Sequence, residues 1–304
     1  MKPTSYHPKQ TLPLVSVIIS YYNKETTIKN TIKSVLRQTY NKIEVIVVDD
    51  GSEQSIESKL LELNDERIHY YRLAHSNANY ARNYGIMKSK GSYIAMLDAD
   101  DEWMENHLTE SIDVLEVEKV DGVYGSLILQ EGSNHRTFYT RALNPKEKMI
   151  DFLLSMGCGA QTSTLVMTAQ SVRATMWDVT LNRHQDYDFL VRYNKQFKLV
   201  AVLSPTVIYH ITPRTEPIDY KSCIRFIRAY RNEISPLIYT NYHISMLINA
   251  TKHHASQDII SYYQKERIRY KQYVTYSMYH SIVSPQNWFE RIWYKLKYIW
   301  GICM

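Results

Sequence analysis

The chain has 304 residues, 44% of them apolar and 22% charged, with a formal net charge of +5. That composition is ordinary for a globular protein and excludes a disordered or fibrous chain. Cys158, Cys223 and Cys303 are too widely spaced for a disulfide scaffold or a zinc ribbon and suit a reducing compartment.

In chain order, Val15-Ser16-Val17-Ile18-Ile19 is a β-branched run that predicts a buried strand. Ile28, Ile32, Val35 and Leu36 then fall on one helical face, with lysines opposite. Residues 43–48 predict a second strand; Ile56, Leu60 and Leu63 mark a helix. Residues 68–73 predict a third strand, 80–88 a helix and 93–97 a fourth strand. This alternation implies right-handed crossovers, hence an α/β fold with a mostly parallel sheet flanked by helices. In such sheets ligands bind beyond the carboxyl ends of the strands, so the residues just after each strand matter most. From about Asp219 the period is helical throughout, and residues 216–304 read as three or four helices.

Three strand ends carry polar clusters: Ser20-Tyr21-Tyr22-Asn23, Asp49-Asp50-Gly51-Ser52 and Asp98-Ala99-Asp100-Asp101. Five acids on one sheet edge repel one another unless a cation or hydrogen-bond donors sit among them. Asp98-x-Asp100 is shaped to hold a hard divalent ion that bridges phosphate oxygens. Any single pair could simply cap the helix that follows it. All of them together, in this order, point to a site.

With Ala81-Arg82-Asn83-Tyr84-Gly85-Ile86, these segments resemble the successive motifs of family 2 glycosyltransferases over roughly residues 12–212. The resemblance implies the GT-A (Rossmann-like) fold, a nucleotide-diphosphate sugar as donor, Mn2+ or Mg2+ as cofactor and inversion at the anomeric carbon. It implies that Ser20 and Tyr22 line the nucleobase pocket, with the Tyr22 ring against the base. Asp50 would accept from the base, typically uracil, and Asp49 would support that edge. Arg82 would face the donor, Asp98 would lie near the ribose, and Asp100 would be the principal metal ligand. Arg183-His184-Gln185-Asp186-Tyr187-Asp188 stands where the family places its catalytic base, which makes Asp186 the aligned acid and Asp188, two residues on, its competitor. His210 stands where some members complete the metal shell, although a lone histidine among 11 is more often a plain surface or core residue.

Two departures bear on base and sugar preference. His75-Ser76-Asn77-Ala78-Asn79 lacks the glycine usual before Arg82, and Asn77 is expected to supply positive φ in its place. Glu53-Gln54-Ser55 replaces the usual Asp and Gly after Ser52. Residues 157–164 (Gly-Cys-Gly-Ala-Gln-Thr-Ser-Thr) match the acceptor border, where their hydroxyls either meet sugar or belong to a plain loop. Cys158 has no paired base, and inverting transfer needs no covalent intermediate, so it is not expected to be a nucleophile.

Charge and aromatics are uneven. Residues 1–215 hold 24 Lys+Arg against 25 Asp+Glu; residues 216–304 hold 12 against 6, with 12 of the 26 tyrosines and 3 of the 5 tryptophans. Set on a helix, residues 288–300 gather Trp288, Trp293 and Trp300 on one face and Arg291, Lys295 and Lys297 on the other. That pattern suits a helix in a membrane interface or one packed on the main domain. Lys221, Arg225 and Arg228 form a second basic stripe, expected to be a solvated face. Residues 1–14 lack a signal-peptide core, and no run reaches the roughly 18–20 apolar residues of a spanning helix.

The expectation is therefore a cytoplasmic transferase, peripheral on the inner membrane face. Residues 12–215 would form the catalytic GT-A unit and 216–304 a basic, aromatic helical region. Its partners would be a UDP-sugar donor, a glycan or lipid-linked glycan acceptor and anionic membrane. A non-catalytic nucleotide-sugar-binding module is the main alternative. A nucleic-acid-binding protein is the weaker one, because the strand-end acids would repel a polyanion there. No Gly-x-Gly-x-x-Gly follows the first strand, which argues against a dinucleotide oxidoreductase.

Overall fold

The computed structural model describes residues 12–156, 160–212 and 217–270. Its first half follows the expected alternation: β1 (Val15–Tyr21), α1 (Ile28–Leu36), β2 (Ile43–Asp49), α2 (Glu57–Leu61), β3 (Ile68–Arg72), α3 (Ala78–Lys88) and β4 (Tyr93–Asp98). There follow β5 (Glu102–Trp103), α4 (His107–Glu118), β6 (Gly122–Glu131), β7 (Asn134–Phe138), α5 (Met149–Met156), a 3-10 turn (Thr162–Thr164), β8 (Val166–Thr168), α6 (Ala169–Thr175), α7 (Gln185–Asn194) and β9 (Leu199–His210). Three further helices, α8 (Tyr220–Ala229), α9 (Pro236–Lys252) and α10 (Gln257–Glu266), occupy the helical stretch expected after Asp219.

The strands form one sheet in the order β3-β2-β1-β4-β8-β6-β9-β5, with β7 paired to β6. β3, β2, β1 and β4 are mutually parallel, as are β6 and β9; the short β5, β7 and β8 pair antiparallel. The chain runs outward from β1 to β2 and β3 and then returns to place β4 on the other side of β1. That reversal opens a crevice beyond the strand ends. β1 is bracketed in register, with Tyr21 opposite Asp49 and Ser20 opposite Asp98, so the three polar clusters come out at one edge.

Because side chains alternate along a strand, the buried runs feed two cores. Val15, Val17, Ile19, Val45 and Val47 face one, which is closed by α1 and α4. Ile18, Ile46, Val48 and Met96 face the other, where Ala81 and Ile86 of α3 join them. At Gly85 an added Cβ would come within 2.6 Å of Ile18 Cγ2, so only glycine lets α3 lie this close to β1. Phe226, Tyr230, Tyr239, Tyr242 and Tyr263 of α8–α10 belong to this second core together with Phe189 and Tyr193 of α7. The helices that follow residue 217 therefore share apolar core with the helix that carries Asp186.

Among the described residues no helix is long and apolar enough to cross a membrane. The basic aromatic segment 288–300, together with Cys158 and Cys303, lies outside the described residues. In the Lys221 stripe, the Arg228 guanidinium stacks on Tyr262 at 4.8 Å. Lys221, Arg225 and Arg228 line an open groove with Ile224, Ile259 and Tyr262.

Candidate active site

The edge formed by the ends of β1, β2 and β4 carries one half of the site. Asp49 is fully buried; its two carboxylate oxygens accept from the Ser52 backbone N–H (2.8 Å) and the Tyr70 hydroxyl (2.6 Å). It thus props the turn after β2. Gly51 sits at φ +74, and a Cβ there would lie 2.5 Å from His75 N, so the loop after β3 presses backbone to backbone on this turn. Asp50 is also buried, and desolvation raises its carboxyl above the ordinary range. Its Oδ1 accepts from Ser76 N at 2.9 Å, and its Oδ2 faces His75 Nδ1 at 3.1 Å. Tyr22 is exposed and stacks on the His75 ring, centroids 4.4 Å apart and planes at 23°. His75 thus lies between the Tyr22 ring and Asp50, and Ser20 stands two residues before Tyr22 at the end of β1. Asn23 takes φ +46 just past β1, donating through its N–H to Ser52 Oγ and accepting from Glu53 N, which ties the first two clusters together.

The expectation for Asn77 is corrected. Its φ is −172°, extended backbone, and it is the N-cap of α3, with its side chain accepting from Tyr80 N at 3.0 Å. Asparagine stands there because a helix start needs an acceptor, not because the loop needs positive φ.

Arg82 is nearly buried and fully engaged. Its guanidinium donates to Asp98 Oδ1 (2.8 Å), Asn79 Oδ1 (3.0 Å) and Gln185 Oε1 (3.1 Å), and lies 4.6 Å from the Trp177 ring centre. It links the end of β4 to the first turn of α7. The loop between α6 and α7 is strapped to α3 by Asn79, which donates to Asp178 O and Leu181 O, and by Asn83, which exchanges two hydrogen bonds with Trp177.

The two acids of α7 separate cleanly. Asp188 is buried; Arg192 binds its Oδ2 at 2.7 Å and the Tyr230 hydroxyl donates to its Oδ1 at 2.6 Å. It fastens α7 to α8. Asp186 is half-buried, with its Oδ1 accepting from Tyr187 N at 3.0 Å. Desolvation raises its carboxyl, the Arg82 charge lowers it and the Asp98 charge raises it again, so Asp186 stands within the field of both. Two residues before it in the motif, His184 holds φ +58 and is packed among Tyr187, Phe226 and Tyr242. Burial pushes its imidazole down to about 3, so it is a neutral wedge bonded to the Tyr242 hydroxyl.

Around the Asp98-Ala99-Asp100-Asp101 turn, Asp101 is buried and its carboxyl is pushed well above the ordinary range, first by desolvation and then by Asp98. It accepts from the Ser163 hydroxyl and from His210 N. Thr162, Ser163 and Thr164 are buried, and the Ser163 and Thr164 hydroxyls are spent inside the protein. Of the two readings of that hydroxyl-rich stretch, the plain structural loop holds for these residues. Asp100 pairs with Lys24 Nζ at 2.9 Å, and His210 Nε2 lies 3.2 Å from Glu102 Oε1. Glu102 opposes Ile208 in the β5–β9 pairing, a register that carries His210 back toward the Asp100 turn. Among the described residues no cluster of three or more His, Cys, Asp or Glu side chains is arranged to hold a metal alone. Asp100 and His210 do offer one carboxylate and one imidazole. That donor set fits an ion whose other ligands are phosphate oxygens and water.

Tyr209 was not singled out by the sequence. Its phenol is pushed up to about 12 by burial and by the charges of Asp101, Asp98, Asp100 and Asp186, which places it among all four acids. Trp177, Gln185 and His75 were likewise missed as site residues. No local pattern marks a residue whose importance comes from partners dozens to a hundred positions away.

Comparison with known proteins bears on this arrangement. Residues 16–176 match the model of glycosyl transferase family 2. The amylovoran biosynthesis glycosyltransferase AmsB of Erwinia amylovora is 31% identical over 213 residues, covering 66% of this chain and 70% of AmsB. The Escherichia coli enzyme named UDP-Glc:alpha-D-GlcNAc-diphosphoundecaprenol beta-1,3-glucosyltransferase WfgD is 34% identical over 155 residues, 51% of this chain and 60% of WfgD. Residues 1–349 of S. aureus TarS, solved in complex with UDP-GlcNAc, superpose with a TM-score of 0.57 at 12% identity, covering 87% of this chain and 75% of that one. The last likeness is one of fold, the GT-A fold.

Proposed function

This chain belongs to glycosyl transferase family 2, and we propose that it is an inverting, metal-dependent transferase moving one sugar from a UDP-sugar to a hydroxyl of a lipid-linked glycan at the cytoplasmic membrane face. The observation that carries the reading is the junction at Arg82. One guanidinium joins Asp98, at the donor edge of the sheet, to Gln185, the immediate neighbour of Asp186. Donor-side and acceptor-side acids thereby share one rigid link.

In this reading the uracil stacks on Tyr22 and donates an N–H to Asp50 Oδ2, Ser20 lines the pocket and Asp49 braces the turn. Asp98 orients the ribose from its Arg82 anchor. Asp186 takes the proton of the acceptor hydroxyl as that oxygen bonds to the anomeric carbon from the face opposite the diphosphate. The bond from that carbon to the diphosphate oxygen breaks, its electron pair leaves with UDP, and configuration inverts. Mn2+ or Mg2+, held by Asp100 and His210, would neutralise charge on the departing diphosphate. Burial of Asp186 supports its role, because a raised carboxyl is a better base than an ordinary one. Asp188 has both oxygens occupied by Arg192 and Tyr230 and remains structural. The lipid-linked acceptor is supported by the diphosphoundecaprenol-linked acceptor in the name of WfgD.

Asp186→Asn tests the assignment. Transfer should fall by about 10^3-fold while UDP affinity stays unchanged. Retained turnover would remove Asp186 as the base.

A further inference from the structure

His75 already makes the contacts that a bound nucleobase would need. Its ring stacks on Tyr22 at 4.4 Å and 23°. Its Nδ1 lies 2.9 Å from the Asp50 carbonyl oxygen and 3.1 Å from Asp50 Oδ2. A uracil entering this slot would require the same two things, an aromatic face and an acceptor for a ring N–H. Asp50 Oδ1 is taken by Ser76 N, so Oδ2 is the oxygen left for either ring.

We propose that His75 is an internal stand-in for the nucleobase, filling the slot between Tyr22 and Asp50 in the free protein and rotating out when nucleotide binds. The proposal rests on the nucleotide site described above and adds to it a residue that sets donor affinity. The backbone around His75 is fixed. Ser76 N is bonded to Asp50, Leu73 N donates to Asp49 O at 2.8 Å, and the Gly51 turn leaves no room for even a methyl group against His75 N. The side chain, in contrast, is 54% exposed and has solvent to turn into. Exchange therefore needs a side-chain rotation alone, on a loop that stays put. The stand-in also satisfies Asp50, a buried carboxylate that would otherwise lack a partner on Oδ2.

The competing geometry is a sandwich, in which the base slides between Tyr22 and His75 and gains a second stacking wall. The two arrangements predict opposite signs. Calorimetric titration of UDP with Mn2+ into the full chain, wild type and His75→Ala, decides between them. As a stand-in, His75 competes with the base, so His75→Ala should bind UDP about three- to tenfold more tightly. His75→Phe keeps a ring to stack but cannot donate to Asp50, and should fall between the two. Weaker or unchanged binding by His75→Ala would overturn the proposal while leaving the nucleotide site intact. No UDP binding by either protein, with both folded by circular dichroism, would overturn the site reading and this inference with it.

Discussion

The two halves of the site are built by different means. Ser20, Asp49, Asp50 and Asp98 are positioned by strand register: three adjacent parallel strands end together, and each acid emerges where its strand stops. Asp186 is positioned by side chains. Its helix start is wedged by His184 against α8 and α9, fastened by Asp188 to Tyr230, and joined to the sheet through Gln185 and Arg82. The Ser222 hydroxyl also accepts from Asn182 N and Arg183 N just ahead of α7. Register is held by many backbone bonds at once, whereas the α7 start depends on a few particular groups. Single substitutions should therefore damage the second half more easily than the first.

Arg82→Ala should break this contrast most severely, because it cuts the side-chain link from Asp98 to Gln185. Its loss strands Asp98 without its cation and should cost about 3 kcal/mol of stability, measured by urea unfolding, and 10- to 100-fold in kcat. Arg82→Lys restores charge without the fork and should recover only part of either. A smaller effect is expected of Tyr230→Phe, which removes one charge-assisted hydrogen bond to Asp188 some 40 residues away. It should cost about 1.5–2 kcal/mol and lower kcat, yet leave UDP affinity, a property of the strand-end half, unchanged. Loss of UDP binding in this variant would show the halves to be less separable than their construction implies.

Smallest is the pH effect of Asp186. Its carboxyl is raised in the folded protein, so the folded state holds that proton more tightly than the unfolded chain does. Stability from this group is accordingly greatest at low pH and declines as pH rises through the folded value. Activity that needs the carboxylate rises over the same span. The difference in melting temperature between wild type and Asp186→Asn, followed from about pH 4 to pH 7, should show the variant gaining ground as pH rises. A flat difference would place Asp186 in an ordinary aqueous setting.

The contrast also explains what the sequence made legible. The parallel strands and their acid ends are local: a β-branched run followed by Asp-Asp-Gly-Ser or Asp-Ala-Asp-Asp is visible in a ten-residue window. Asp186 was visible through the motif around it, but nothing within that window distinguishes it from Asp188. Only the fold shows that Tyr230 and Arg192 have claimed the latter. Arg82 was expected to face the donor; what the fold adds is its set of protein partners, Asp98, Asn79, Gln185 and Trp177, which no local window shows. Asn77 misled because asparagine serves both left-handed turns and helix caps, and local sequence does not choose between them. His75 and Tyr209 acquire their surroundings from strands and loops far away in the chain.

The reading stands or falls with a uridine-nucleotide site at the strand ends that works with a divalent ion. Calorimetric titration of the full chain with UDP, GDP, TDP and CMP, each with Mn2+ and with EDTA, tests it most directly. Binding of UDP alone is expected, lost or sharply weakened in EDTA, with the same metal dependence absent from Asp100→Ala. Preference for another nucleotide, or UDP binding indifferent to EDTA, would contradict it.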